Sequence, residues 1–158
     1  RSRKQAPGGT RFIYYGLEDE QTYDTGAHNF GALTSPEINL AGVAGAVLEF
    51  DHILDAERAI PFDPAVIRVS TDGGDTFEQV AFLFNTTFLQ GPEFDGDGLC
   101  QTFCIGSTIE AQFQKAKINL SKFADQIILI QLYFDTFDDT INDFTGWRVD
   151  NVVVRQLR

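Results

Sequence analysis

Short β-type segments separated by turn residues run along most of the chain, and this pattern restricts the fold more than any other feature. Glycine, proline, aspartate and asparagine break the sequence into short apolar or alternating runs. A strand repeats its exposed face every second residue, whereas a helix repeats every 3.6 residues, and only residues 107–117 show an arguable helical period. About eight such segments, with no helices between them, predict an all-β, antiparallel jelly-roll sandwich of about eight to ten strands.

Three parts of the chain make this prediction specific. Residues 65–71 and 77–84 flank the turn-like stretch at residues 72–75 and predict a β-hairpin. Residues 31–40 contain Pro36, which cannot donate to a central ladder, and predict an edge strand. The nearly continuous apolar run at residues 127–132 predicts a central strand covered on both faces. The predicted core comprises Leu48, Phe50, Ile67, Val69, Ile127, Leu129, Phe134, Trp147 and Val149.

The composition is that of one folded domain with a strong negative charge. The 158 residues are 43% hydrophobic and include 15 phenylalanines, enough to build a core and to bury roughly 70% of the unfolded surface. The net charge of −11 argues against binding to nucleic acid or to an anionic membrane, since both need clustered Lys and Arg. No apolar run approaches the ~20 residues needed to span a bilayer, so no membrane insertion is expected.

The first residues differ in charge from the rest of the chain. Residues 1–10 begin Arg1-Ser2-Arg3-Lys4 and form a basic N-terminal arm, which is interpreted as a linker remnant or as a tail left by cleavage after basic residues. The arm has no apolar stretch, so it is not an intact signal peptide. Residues 11–158 are predicted to form the single sandwich domain. Without an initiating Met, the sequence indicates a processed product or a piece of a larger protein.

Two cysteines, Cys100 and Cys104, lie in a loop-like stretch at residues 89–106. A zinc site would need two further ligands, and the only histidines, His28 and His52, are far away in the sequence. A redox motif more often has two intervening residues. We therefore expect a small-loop disulfide between Cys100 and Cys104, formed in an oxidising, extracellular compartment.

Oxygen-bearing side chains crowd the stretch from residue 135 to residue 143. A hairpin turn needs one or two such residues, whereas this stretch has seven: Asp135, Thr136, Asp138, Asp139, Thr140, Asn142 and Asp143. Densely packed carboxylates repel one another unless solvent or a cation neutralises them, and hard oxygen ligands suit Ca²⁺. Asp150 adds a carboxylate inside the closing β-type segment, where β propensity does not favour one. The alternative is an acidic turn that is simply solvated.

The sequence offers no convincing catalytic group. His28 lies in a loop-like stretch and His52 in a β-type segment, and neither has a serine motif around it. The many carboxylates could form a glycosidase-type pair, but their abundance makes any one pair uninformative. Trp147 is expected in the core, although it could also form a sugar-stacking platform with Tyr14 and Tyr15. We expect no enzymatic activity.

A series of short motifs resembles a known family. In chain order the motifs are Tyr23-Asp24-Thr25-Gly26, Leu33-Thr34-Ser35-Pro36-Glu37-Ile38-Asn39-Leu40, Leu48-Glu49-Phe50 with Glu57, Val69-Ser70-Thr71-Asp72-Gly73-Gly74, Ile118-Asn119-Leu120-Ser121-Lys122-Phe123-Ala124, Phe134-Asp135-Thr136 and Gly146-Trp147-Arg148-Val149-Asp150-Asn151. Over residues 14–154 this order resembles MAM-like jelly rolls of the galactose-binding-like superfamily, including the domain attached to immune inhibitor A metallopeptidases. The chain lacks the four cysteines of vertebrate MAM domains, so it is more similar to the bacterial or algal type.

The resemblance implies a secreted, non-catalytic domain appended to an enzyme or a surface protein. It also implies a structural Ca²⁺, because related sandwiches hold one between an acidic residue near the first strand and an Asp in the last strand. By position, the last-strand ligand would be Asp150. The other expected ligands are Glu18 and Asp24 (with Asp19 as a further choice), together with Asp138 and Asn142 in the same site or in a second one.

Three functions are compatible with these features. The first is a calcium-stabilised extracellular binding or adhesion module of a larger secreted or surface protein, with a glycan or an extracellular protein as its ligand. The second is a carbohydrate-binding module of a secreted polysaccharide-degrading enzyme. The third is a self-associating structural subunit of a filament or coat, with the basic arm or the long loop bridging neighbours.

Overall fold

The computed structural model describes residues 9, 11–57, 62–84, 104–106 and 113–157, and these form ten strands. One 3₁₀ turn, Ser121–Phe123, is the only helical element among them, and no helix in these ranges could cross a membrane. The strands are β1 Ile13–Tyr15, β2 Phe30–Thr34, β3 Ile38–Asn39, β4 Ala46–Asp55, β5 Ala65–Ser70, β6 Glu78–Phe84, β7 Cys104–Gly106, β8 Gln114–Asn119, β9 Ile127–Asp135 and β10 Gly146–Gln156.

The strands form two sheets that pack face to face. The first sheet has the order β1-β10-β4-β8, and the second has the order β2-β9-β5-β6-β7, with β3 also paired to β9. All pairings are antiparallel except that of β6 with β7. The predicted all-β sandwich of eight to ten strands is therefore confirmed.

The core lies between the sheets and follows the two-residue period of the strands. On β9, Ile128, Ile130, Leu132 and Phe134 point inward. The predicted core residues Leu48, Phe50, Ile67, Val69, Phe134, Trp147 and Val149 are all buried. The prediction is wrong for Ile127, which is 52% exposed, and Leu129 is only partly buried. Both lie on the outer face of β9, because a continuous apolar run gives no sign of which alternate residues point inward.

The predicted hairpin and edge strand are both present. Strands β5 and β6 pair from Ala65↔Leu83 to Val69↔Glu78, with a bulge after Ile67. Strands β2 and β3 both flank β9, and among the described residues neither pairs with any other strand. The interruption falls at Ser35 and Pro36, as expected from the missing proline N–H.

Candidate functional site

Asp150 lies on β10 directly opposite Asp51 of β4, and the ladder is irregular from this point to Val153. Its Oδ1 accepts a hydrogen bond from the N–H of Asn151 at 2.8 Å. Lys115 neutralises the neighbouring carboxylate, since its Nζ is 3.0 Å from Asp51 Oδ1. Although burial acts against it, hydrogen bonds from Asn151 and Lys115 keep the pKa of Asp51 below its ordinary value. The irregular ladder and the nearby Lys115 therefore allow Asp150 to lie within β10.

The other two expected ligands of that site lie in the loop after β1. Glu18 and Asp24 are both exposed. The Oδ1 of Asp24 accepts the N–H of Gly26 at 2.7 Å, which is the geometry of a local Asx turn. Among the described residues, no three His, Cys, Asp or Glu side chains are arranged to hold a metal ion. Glu18, Asp24 and Asp150 are therefore not gathered into such a group, and their role as calcium ligands stays a prediction.

A different group of polar residues, three of them acidic, lies partly inside the protein. It is called the Asp63 cluster and consists of Tyr23, Glu57, Asp63, Asp138 and Asn142. Asp63 is 0% exposed, and its Oδ2 accepts a hydrogen bond from the buried hydroxyl of Tyr23. The backbone N–H of Glu57 donates to that hydroxyl at 3.1 Å. The Oδ1 of Asp63 has no hydrogen-bond partner in the described part of the chain.

The loop between β9 and β10 contributes Asp138 and Asn142 to this cluster. Thr136 Oγ1 and Asn142 Nδ2 both donate to the carbonyl of Asp138, at 2.8 and 3.2 Å. Thr22 Oγ1 donates to the carbonyl of Asn142 at 3.1 Å and ties the loop to the segment before Tyr23. Asn142 is only 2% exposed, and its Oδ1 also lacks a partner in the described ranges. Two acceptor oxygens, Asp63 Oδ1 and Asn142 Oδ1, are therefore buried without a donor among the described residues. Asp138 links them, because Asn142 donates to its carbonyl and its charge acts on Asp63.

The electrostatics of the cluster reflect unbalanced negative charge. Burial raises the pKa of the Asp63 carboxyl to about 6, and the charges of Glu57 and Asp138 add to the effect despite the hydrogen bond from Tyr23. Burial and the charge of Asp138 also raise the pKa of Glu57. Leaving buried acceptors unsatisfied is costly, and a cation among them would remove both the repulsion and the missing contacts.

Sequence reasoning identified only part of this cluster. Asp138 and Asn142 were expected to bind a metal, whereas Tyr23 and Glu57 stood out only as parts of motifs and Asp63 did not stand out at all. The available signal was that Glu57 and Asp63 both lie in the short segment between β4 and β5. Their nearness to Asp138 and Asn142, by contrast, depends on the packing of the sandwich and has no signal in the sequence.

The remaining predicted residues are placed as follows. Trp147 is buried in the core as predicted, with 4% exposure. Tyr14 and Tyr15 are half-buried rather than open, and the hydroxyl of Tyr15 donates to Asn29. Cys100 lies outside the described residues and Cys104 only begins β7, so the expected disulfide stays a prediction.

The two histidines have different surroundings. His52 is 1% exposed in β4, and within the described chain neither ring nitrogen has a hydrogen-bond partner. Burial lowers its pKa to about 4. His28 is exposed, and its Nε2 lies 2.7 Å from Oδ1 of Asp135.

Comparison with known proteins adds no relative. No protein-family model matches the chain, and no curated protein has significant similarity to it.

Proposed function

We propose that this chain is a calcium-stabilised, non-catalytic binding or adhesion module of a larger secreted or cell-surface protein. The all-β sandwich and the order of MAM-like motifs support a module of this kind. The single observation that carries the calcium part is the pair of buried acceptors without donors in the described chain, Asp63 Oδ1 and Asn142 Oδ1, beside the carboxylates of Glu57 and Asp138.

Calcium matches the chemistry of these groups. It takes six to eight oxygen ligands, including carboxylates, amide and backbone carbonyls and water. Asp63 and Asn142 would supply the buried oxygens, and Glu57 and Asp138 would supply further negative charge. Because no three carboxylates in the described ranges already surround one point, amide, backbone and water oxygens must complete the shell. Such a site fits the ~10⁻⁴–10⁻³ M calcium affinities of extracellular modules.

The first prediction is that calcium raises the melting temperature through Asp63. A ligand that binds only the folded state adds about 2.7 kcal/mol of stability at 100 times its dissociation constant. For a domain of this size that corresponds to about 5–10 °C. We expect this increase for the wild type when EGTA is replaced by excess CaCl₂, and we expect it to disappear in Asp63→Asn. Differential scanning calorimetry measures both.

Asp24→Asn is the matched control. Asparagine keeps the Asx turn of this exposed residue, and Asp24 was the ligand expected from the sequence. Its calcium response should equal that of the wild type. If the response is lost in Asp24→Asn and kept in Asp63→Asn, the site is elsewhere. A wild-type melting temperature that is the same in EGTA and in calcium contradicts calcium stabilisation altogether.

A further inference from the structure

The outer face of the second sheet carries exposed aromatic and charged side chains that the core does not use. This surface, called the Phe30 face, consists of His28, Phe30, Arg68, Tyr133 and Asp135. Phe30 is 64% exposed. Strand pairing sets it opposite Asp135, and its ring centroid lies 6.2 Å from that of Tyr133 with a 35° angle between the ring planes.

A carboxylate is held in a fixed orientation beside these rings. Asp135 Oδ2 accepts the hydroxyl of Tyr133 at 2.6 Å, and Oδ1 lies 2.7 Å from His28 Nε2. The N–H of Phe137 also donates to Oδ1 at 2.9 Å. Although burial acts against it, these hydrogen bonds keep the pKa of Asp135 below its ordinary value. The face therefore presents a charged acceptor next to Phe30.

The guanidinium of Arg68 stacks on the ring of Tyr133. The Arg68 guanidinium carbon is 3.4 Å from the centroid of the Tyr133 ring, a stacked cation–π arrangement. Arg68 forms no ion pair with the described acidic residues. Four other basic residues do contact carboxylates: Lys115, Lys117, Lys122 and Arg155. Arg68 is partly exposed, and its buried Nε has no hydrogen-bond partner in the described residues. The guanidinium therefore keeps donor capacity that no described carboxylate uses.

A second exposed ring follows directly after Asp135 and Thr136. Phe137 is 56% exposed and has a φ of 61°, in the left-handed region. A bulky non-glycine residue rarely adopts this conformation, and such strain persists only where neighbouring structure enforces it, often at binding sites. The hydrogen bond from its N–H to Asp135 is one such constraint. Two exposed phenylalanines therefore lie near Asp135, Phe30 opposite it in the strand pairing and Phe137 two residues after it.

We propose that the Phe30 face binds a neutral oligosaccharide, and this inference names the ligand class of the binding module proposed above. An exposed ring can stack on the apolar C–H face of a pyranose. Sugar hydroxyls both donate and accept hydrogen bonds, so they match a surface where the guanidinium of Arg68 and the carboxylate of Asp135 both contact Tyr133. The net charge of −11 repels polyanions and favours an uncharged ligand.

Affinity electrophoresis and calorimetry test this proposal with soluble β-glucan, xylan, mannan and galactan, and with their oligosaccharides, in excess calcium. We expect the wild type to bind at least one of these neutral glycans. Phe30→Ala should weaken that binding at least tenfold, and Arg68→Lys should weaken it several-fold because lysine lacks the planar donor fork. Leu33→Ala is the matched control, because Leu33 is 49% exposed on the same strand but lines a groove away from the Phe30 face. Its affinity should be unchanged.

Three results overturn the proposal: no retention by any neutral glycan, equal affinity of Phe30→Ala and wild type, or binding confined to polyuronates and sulfated glycans. Thermal melts of each variant show whether it is folded. The calcium response is measured separately, so the two proposals fail independently. A calcium-dependent melting temperature without glycan binding removes only the ligand class, and glycan binding without a calcium response removes only the metal site.

Discussion

His52 lies inside the sandwich with two ring nitrogens that lack partners in the described residues. Burial lowers its pKa to about 4, against a smaller raising effect of Asp51. In the unfolded chain a histidine titrates near pH 6.5. Between about pH 6.5 and 4 the unfolded state therefore binds a proton that the folded state does not. Stability is fully present above this window and is lost as the pH falls through it.

The second prediction concerns His52→Leu. Leucine is apolar and of similar size, so we expect the variant to match or exceed wild-type stability at pH 7.5. On acidification to pH 4.5 the wild type should lose about 2–3 kcal/mol more than the variant, because only the wild type carries this histidine. Urea unfolding at pH 7.5, 6.0 and 4.5 gives the difference. Parallel pH profiles for the two proteins would show that His52 does not contribute.

At the residue scale, sequence reasoning found candidate ligand residues where they were crowded together and missed them where they were isolated. Asp138 and Asn142 stood out within a run of oxygen-bearing residues, and both belong to the Asp63 cluster. Asp63 itself gave no signal. Its buried carboxylate accepts a hydrogen bond from the hydroxyl of Tyr23, which lies 40 positions earlier in the chain. Contacts of that kind depend on the packing of the two sheets and not on any local pattern.

At the scale of elements, β10 begins where it passes very close to β1. Gly146 has a φ of +83°, and a Cβ at this position would lie 2.2 Å from the carbonyl oxygen of Tyr15. The clash would be with backbone that is itself part of the pairing of Tyr15 with Trp147. The glycine therefore serves both the local conformation and the approach of the two strands.

The third prediction compares Gly146→Ala with Gly73→Ala. Gly73, in the β5–β6 turn, has a φ of +75°, and a Cβ added there would meet nothing within 4 Å, so alanine should cost only the left-handed backbone penalty of about 1–2 kcal/mol. Gly146→Ala should cost at least twice as much, because the first pairs of β1 and β10 must separate. Equilibrium unfolding in denaturant measures both. Equal losses would mean that the strands adjust without cost.

The elements were easier to predict than their orientation. The β5–β6 hairpin and the edge position of residues 31–40 followed from glycine and proline chemistry alone. On β9 the sequence indicated a central strand but not which residues point inward, since both faces are apolar over residues 127–130. The inward set was fixed by pairing with β5, in which Ile67 lies opposite Leu132.

At the scale of the whole molecule, the negative charge is a general source of instability. With a net charge of −11, like charges repel one another in the compact state. Salt weakens this repulsion, since the screening length falls to about 8 Å at 0.15 M. The exposed ion pairs lose strength at the same time, but each contributes only about 0–1 kcal/mol.

The fourth prediction separates the screening of charge repulsion by salt from calcium binding at the proposed metal site. In EGTA, raising NaCl from 0.02 to 0.3 M should increase the melting temperature by a few degrees, because screening reduces the excess repulsion. The same excess of CaCl₂ as in the first prediction, added in 0.3 M NaCl, should still give its full increase. Magnesium at the same concentration should not, because Mg²⁺ demands near-ideal octahedral geometry and gives up its water reluctantly. If 0.3 M NaCl abolishes the increase in melting temperature caused by calcium, then calcium acts only by screening charge and not by binding at a specific site.

The fold as a whole was predictable because turn residues and two-residue alternation recur along the chain and agree with one another. The proposed binding surface was less predictable, because it depends on which surface residues the sheet pairing brings together. Phe30 and Arg68 come from two strands that both flank Tyr133, and no local motif relates one to the other.

The interruption of the sheet edge at Pro36 has a consequence for how these domains behave when crowded. The edge offers only the five residues of β2 and the two residues of β3, and at the break the Oγ of Ser35 accepts the N–H of Ile130 at 2.9 Å. A long, flat edge invites a neighbouring molecule to add its own strand, whereas short edges interrupted by proline discourage this. Many copies displayed side by side on a surface would thus resist fusing into amyloid along this edge.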